Sequence, residues 1–418
     1  MPRHCLAAFL PGVCKLAVCL ASLAVAASPP LLAQTAEQEE LNQLRSLGYV
    51  SFPAESKRSL RKEGLIFSHA SRSSPGYTLV TSIPDARALL VDQEGEVVRR
   101  WQDPESWRWT RAELQPNGDL LVIGRLKHEK TPRLGAKFLA RFSWQGELRW
   151  RRTSHAFHHD LDIDSEGHIW TLDREIRQLE DGPLIDDNSI VVLDEDGELL
   201  KKHSLFDLLS SAPEIYRLPL TTDYEKPTRR ERGQVNLLHA NTLNLMPFEP
   251  LESKGELYRR SNVLVTIRHQ HLIAIIDLAS QRLLWAWGPG EIQLPHEATW
   301  LENGHILLFD NGTRKRRYSR ILEIEPTSGK IVWEYVADPP EDFFTAGQGT
   351  VHALPGGNIL IASSNQGRID EVDRQGRVVW RYLHRDRQGS LLSMRAARYV
   401  PEMVEPLLSD RVIRDKEE

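Results

Sequence analysis

A turn-and-strand motif recurs along the 418-residue chain at a nearly constant interval, and that interval limits the fold more than any other feature. Its clearest copies are Asp92-Gln93-Glu94-Gly95-Glu96-Val97-Val98, Trp144-Gln145-Gly146-Glu147-Leu148-Arg149-Trp150 and Asp194-Glu195-Asp196-Gly197-Glu198-Leu199-Leu200. Leu278-Ala279-Ser280-Gln281-Arg282-Leu283-Leu284-Trp285, Thr327-Ser328-Gly329-Lys330-Ile331-Val332-Trp333 and Arg374-Gln375-Gly376-Arg377-Val378-Val379-Trp380 continue the series. The turn glycines step by 51, 51, 132 (across two units) and 47 residues, which sets a period of about 50.

A second turn runs through the same units. It is seen in Pro116-Asn117-Gly118-Asp119, Ser165-Glu166-Gly167-His168, Glu302-Asn303-Gly304-His305 and Pro355-Gly356-Gly357-Asn358. Asn-Gly and related pairs tolerate the positive φ angles of tight hairpins. Short alternating strands at a fixed long period predict four-stranded blades, hence an all-β, six-bladed β-propeller over 76–386. A sandwich would account for the strands but not for the period. The tryptophans that end the repeats read as residues packing one blade on the next. Two insertions break the rhythm, at 206–236 (a short helical pattern from Phe206 to Ser211) and at 247–260. Long loops on a regular scaffold often carry function.

Residues 1–33 read as a signal peptide. Arg3 and Lys15 precede the apolar stretch Leu16 to Ala27, with small residues for cleavage near Ala24-Val25-Ala26 or Leu31-Leu32-Ala33. All three cysteines (Cys5, Cys14 and Cys19) fall in it, so a processed chain has neither disulfide nor thiolate. A periplasmic or secreted location follows as the expectation. Residues 34–75 read as a lead-in, with a short amphipathic helix over 36–47, and 387–418 as a charged tail. The net charge of −5 argues against a nucleic-acid partner, which calls for a basic excess. Beyond the N-terminus no apolar run approaches the roughly 20 residues of a membrane span.

Aligning the repeats on their turn glycines brings histidines into register. His159 lies eight residues before Gly167 and His296 eight before Gly304. His239 opens the innermost strand of the lengthened blade, and Arg268 ends the next strand of that blade. In a propeller such strand starts converge on one mouth of the central channel. Thr350, opening the inner strand of the last blade, joins them as a lesser candidate. Neighbouring residues on a strand face opposite ways, so either His158 or His159 is the mouth residue. His352 reads as packing within its blade.

Neutral imidazoles serve as nucleophiles or metal ligands. A fixed guanidinium beside them repels a cation and favours an oxyanion, so Arg with His suits a sulfate or phosphate ester. Two other readings stay open: a His-lined metal-dependent lyase or hydrolase, and a propeller that binds without catalysis.

His239-Ala240-Asn241, Ser261 to His269, and Leu294-Pro295-His296-Glu297-Ala298 followed by Asn303-Gly304-His305-Ile306-Leu307-Leu308-Phe309-Asp310-Asn311-Gly312 resemble the bacterial arylsulfate sulfotransferases. His158-His159-Asp160 resembles an earlier His motif of that family. The resemblance implies a six-bladed propeller that moves a sulfuryl group from an aryl sulfate donor to a phenolic acceptor by a ping-pong route. No nucleotide sulfate donor, cofactor or metal is implied. By motif position His296 would be the nucleophile, with His159, His239, Asn241 and Arg268 around the sulfate and Thr350 as a further binding residue. Oligomerisation is left open.

Overall fold

The computed structural model describes residues 64–131, 135–222, 233–247, 249–313, 315–385, 390–391 and 394–414. The expected signal peptide, its cysteines, the helix over 36–47 and the polar run Thr228-Arg229-Arg230-Glu231-Arg232 lie outside these residues.

The described chain is almost entirely strand. β1 (Gly64–Ser68) is followed by β2 (Tyr77–Ser82), β3 (Arg87–Val91) and β4 (Val97–Gln102) of blade 1. Blade 2 comprises β5 (Ser106–Leu114), β6 (Leu120–Leu126), β7 (Lys137–Phe142) and β8 (Leu148–Arg152). Blade 3 comprises β9 (His158–Ile163), β10 (Ile169–Gln178), β11 (Leu184–Leu193) and β12 (Leu199–Ser204). The first insertion then supplies α1 (Leu205–Ser210) and β13 (Gln234–Val235), the latter parallel to β11. Blade 4 holds β14 (Ala240–Leu245), β15 (Asn262–Ile267), β16 (Leu272–Asp277) and β17 (Arg282–Trp287). Blade 5 holds β18 (His296–Trp300), β19 (Ile306–Asp310), β20 (Arg320–Glu325) and β21 (Lys330–Tyr335). Blade 6 holds β22 (Thr350–Ala353), β23 (Ile359–Ser363), β24 (Arg368–Val372) and β25 (Val378–Leu383). β26 (Met394–Tyr399) and α2 (Pro401–Arg414) end the fold. Each blade is an antiparallel meander, and the six sheets form the expected six-bladed propeller.

The repeat motif has a local cause. At the outer turn an Asp or Ser side chain accepts the backbone N–H four residues on, as from Asp92 to Glu96, Asp194 to Glu198 and Asp373 to Arg377. The glycine between them adopts positive φ, as Gly95, Gly146, Gly197 and Gly376 all do. The tryptophans then tie blades together. The indoles of Trp101, Trp287, Trp333 and Trp380 each donate at 3.0 Å to a backbone carbonyl in the outer turn of the following blade. Trp380 does so across the ring closure, from blade 6 to Gln93 of blade 1. Six apolar clusters lie between successive sheets, so the core is distributed around the ring rather than gathered at its centre. The centre is left to polar residues.

The boundaries differ from those read in the sequence. β26 is the innermost strand of blade 1, paired with β2 from Tyr77↔Tyr399 to Ser82↔Met394. β1 adds a fifth strand to the outer edge of blade 6. The ring therefore runs from Gly64 to Tyr399, and 387–418 is not a charged tail but carries the closing strand and the helix that follows it. Met394 and Ala396 are buried between blades 6 and 1, and Val404 of α2 between blades 1 and 2. Arg398 extends from β26 into a buried ion pair with Glu371 of blade 6, lying 4.7 Å over the Trp380 ring. Arg395 and Arg398, three residues apart on β26, leave opposite faces of the strand and meet different environments.

Candidate functional site

Three inner strands begin with an irregularity at the same level of the channel. The ladder between β9 and β10 slips beside His159 and Asp160, that between β14 and β15 at Asn241, and that between β18 and β19 at Glu297. His159, His239 and Glu297 have φ of 67°, 50° and 39°. A bulge re-aims side chains, and left-handed backbone away from glycine clusters at functional sites. Here it turns side chains from three blades toward the axis.

The predicted residues meet there. The His159 and His239 rings lie 5.3 Å apart, and His269 stacks on His239 at 4.5 Å. His159 is the mouth residue. His158 instead turns onto its own blade, with Nε2 against the Asp173 carbonyl and the Asn188 amide. His159 and His239 remain half-buried, whereas His296, Arg268 and Asn241 are at most 1% exposed. Asn241 donates to the Pro295 carbonyl at 3.1 Å, next to His296.

His296 is held in one tautomer. Its Nδ1 faces two acceptors, the Leu294 carbonyl at 3.1 Å and Asn311 Oδ1 at 2.7 Å. The orientation of the Asn311 amide follows from its Nδ2, which donates to the carbonyls of Thr345 and Gln348. Nδ1 therefore carries the proton, and Nε2 keeps a lone pair that accepts the Gln348 N–H at 3.0 Å. Burial, followed by the nearby Arg268 and Arg395 guanidiniums, holds the imidazolium well below the ordinary histidine range. His239 and His159 are depressed in the same direction, first by burial, then by neighbouring imidazoles and arginines. The cluster is thus a set of neutral imidazoles beside fixed positive charge, the condition for a nitrogen nucleophile facing an anion.

Thr350 opens β22, but its hydroxyl is engaged by the closing strand: it donates to the Ala396 carbonyl and accepts the Ala396 N–H. His352 also departs from expectation, lining a cavity of about 360 Å³ farther along the channel with Glu113, Asp162 and Tyr399. Between that cavity and the histidines an ion network crosses the axis. Arg111 of β5 meets Asp160 at 3.2 Å and Glu297, from the opposite blade, at 3.0 Å. Burial and the Glu297 carboxylate push Asp160 up to about 8, against the pull of Arg111.

Sequence reasoning missed three contributors. Asn311 was visible only within a motif, since its role depends on a contact across 15 residues. His269 carried no register signal. Arg395 lay in the stretch read as a tail. Among the described residues no group of three or more His, Asp or Glu side chains is gathered to hold a metal ion. No helix among them is long and apolar enough to cross a membrane.

No match was found among curated proteins. A protein of unknown function from Bacteroides caccae superposes with a TM-score of 0.50 at 16% identity, covering 78% of this chain and 100% of the other. A virginiamycin B lyase from Staphylococcus aureus gives 0.40 at 11% identity, covering 78% and 89%. At these identities the likeness concerns fold alone. The arylsulfotransferase (ASST) family model, by contrast, matches residues 145–385, more than half of the chain and all of the histidine cluster. By that match and by the fold, the chain belongs to the arylsulfotransferase (ASST) family.

Proposed function

We propose that the protein transfers a sulfuryl group from an aryl sulfate ester to a phenol in two half-reactions, through a sulfo-histidine at His296. The observation that carries this reading is the tautomer of His296, protonated on Nδ1 and carrying on Nε2 a lone pair that meets the Gln348 N–H. In the first half-reaction Nε2 attacks sulfur and the S–O(aryl) bond breaks, its electron pair leaving on the phenolate oxygen. The Gln348 N–H, no longer needed by the lone pair, is placed to turn to a sulfuryl oxygen. Arg268 offsets charge on the others.

Asn311 is a neutral acceptor, so the sulfated ring keeps its Nδ1 proton and its positive charge. A cationic imidazole is a good leaving group, which makes the second half-reaction the mirror of the first. A phenol oxygen attacks sulfur, the N–S bond breaks, and Nε2 recovers its lone pair. His159 and His239 line the mouth where the phenol oxygen sits in both steps. Binding an anionic ester raises their affinity for a proton, so one can give it to the departing phenolate and take one from the incoming phenol. We also place the enzyme outside the cytoplasm, on the strength of residues 1–33.

The deciding experiment is intact mass after brief mixing with 4-nitrophenyl sulfate without acceptor. Wild type should gain one SO₃ unit with a burst of nitrophenol, and His296→Ala should show neither. Turnover without any adduct, or an adduct that persists in the variant, would overturn the covalent route.

A further inference from the structure

A second guanidinium approaches the histidine cluster from the opposite side of the ring. Arg268 comes from blade 4. Arg395 comes from β26 in blade 1, three blades away in a ring of six. Its Nη1 approaches Glu297 Oε2 of blade 5 at 3.4 Å. Blades 1 and 5 are not neighbours, so this contact is made through the channel. Arg395 is 3% exposed, and Glu297 directly follows His296. The charge of Arg395 depresses the imidazoliums of both His296 and His159.

Building on the sulfuryl-transfer reading, we propose that Arg395 is a second anion-holding residue of the pocket, gripping the sulfate group opposite Arg268. Glu297 is its resting partner. That carboxylate is shared, because its other oxygen takes Arg111 at the shorter distance of 3.0 Å. Arg395 can therefore turn to an arriving anion while Glu297 keeps a cationic partner. A sulfate ester presents three equivalent oxygens, and two guanidiniums on opposite sides can each hold oxygens that a single one cannot span. The arrangement also makes the pocket depend on the last strand of the fold, since Arg395 arrives only when β26 closes the ring.

The test is equilibrium titration of the full chain with inorganic sulfate, alongside KM and kcat for 4-nitrophenyl sulfate. Wild type, Arg395→Gln and Arg395→Lys are compared, each with its thermal midpoint. Loss of a charge-assisted contact should weaken sulfate binding and raise KM by roughly 10-fold or more in Arg395→Gln. Arg395→Lys, which keeps charge without the fork, should fall between. Sulfate affinity and KM within twofold of wild type in a folded variant would overturn the proposal, as would wild type that binds no sulfate. If Arg395→Gln does not fold, Arg395→Lys decides by the same criterion. Sulfate binding that depends on Arg395 in a protein without sulfuryl transfer would keep the anion site and remove the reaction. Sulfuryl transfer indifferent to Arg395 would do the reverse.

Discussion

Asn311 accepts the Nδ1 proton of His296 at 2.7 Å while its own amide donates, also at 2.7 Å, to the carbonyls of Thr345 and Gln348. One side chain thus sets the tautomer of the imidazole and the position of the backbone N–H that meets Nε2. A group that orients a reacting residue from behind acts on rate more than on binding.

Replacing Asn311 by alanine should therefore lower kcat for 4-nitrophenyl sulfate by roughly 10- to 100-fold, the scale of losing an orienting partner, with KM changed far less. Unchanged kcat in a folded variant would show that His296 needs no orientation from Asn311.

Arg268 is buried beside His239 and His296, and its charge bears on both. Arg268→Ala should reduce turnover by about 10²-fold or more, as for removal of an oxyanion donor. Burst kinetics will show whether the loss lies in the first half-reaction. Near-normal turnover would make Arg268 a scaffold residue.

The pH behaviour follows from the depressed histidines. His352 and His384 are lowered to about 4, chiefly by burial, against roughly 6.5 in the unfolded chain. Below 6.5 the unfolded chain binds protons that the folded protein does not, so stability falls as pH drops from 6.5 toward 4. Above 6.5 these two groups contribute no slope. The same direction at His296 places the acid limb of kcat/KM below 6.5. Thermal midpoints and a pH–rate profile check both, and an acid limb centred at or above 6.5 would contradict the neutral nucleophile.

Arg398 and Glu371 form a buried pair that joins the closing strand to blade 6. Glu371 also accepts from the Ser74 backbone and from Asn358, so it stays in place when the arginine is removed. Arg398→Ala should cost about 3–5 kcal/mol of unfolding free energy, the scale for stranding a buried charge. Urea unfolding measures this, and a loss below about 1 kcal/mol would mean that solvent reaches the carboxylate.

Much of the molecule was legible in the order of residues. Recurring turn-and-strand units, most with a turn glycine and most ending in Trp, showed the six blades, because each unit's signals are local: a side chain capping its own turn, a residue at positive φ, strands of period two. The shared register of His159 and His296 pointed to the channel mouth for the same reason, since equivalent positions in equivalent blades must converge. What the order could not show were relations between distant segments. Met394–Tyr399 gives no local sign that it is the first strand of the first blade. Only pairing with β2 decides that, and with it the delivery of Arg395 and the use of the Thr350 hydroxyl on Ala396. The choice of His159 over His158 rests on a bulge formed against β10, and the proton on Nδ1 of His296 rests on Asn311, just past the end of the neighbouring strand. Periodicity follows from sequence because it repeats short-range geometry. Ring closure, bulge direction and tautomer follow from contacts that exist only once the blades are packed.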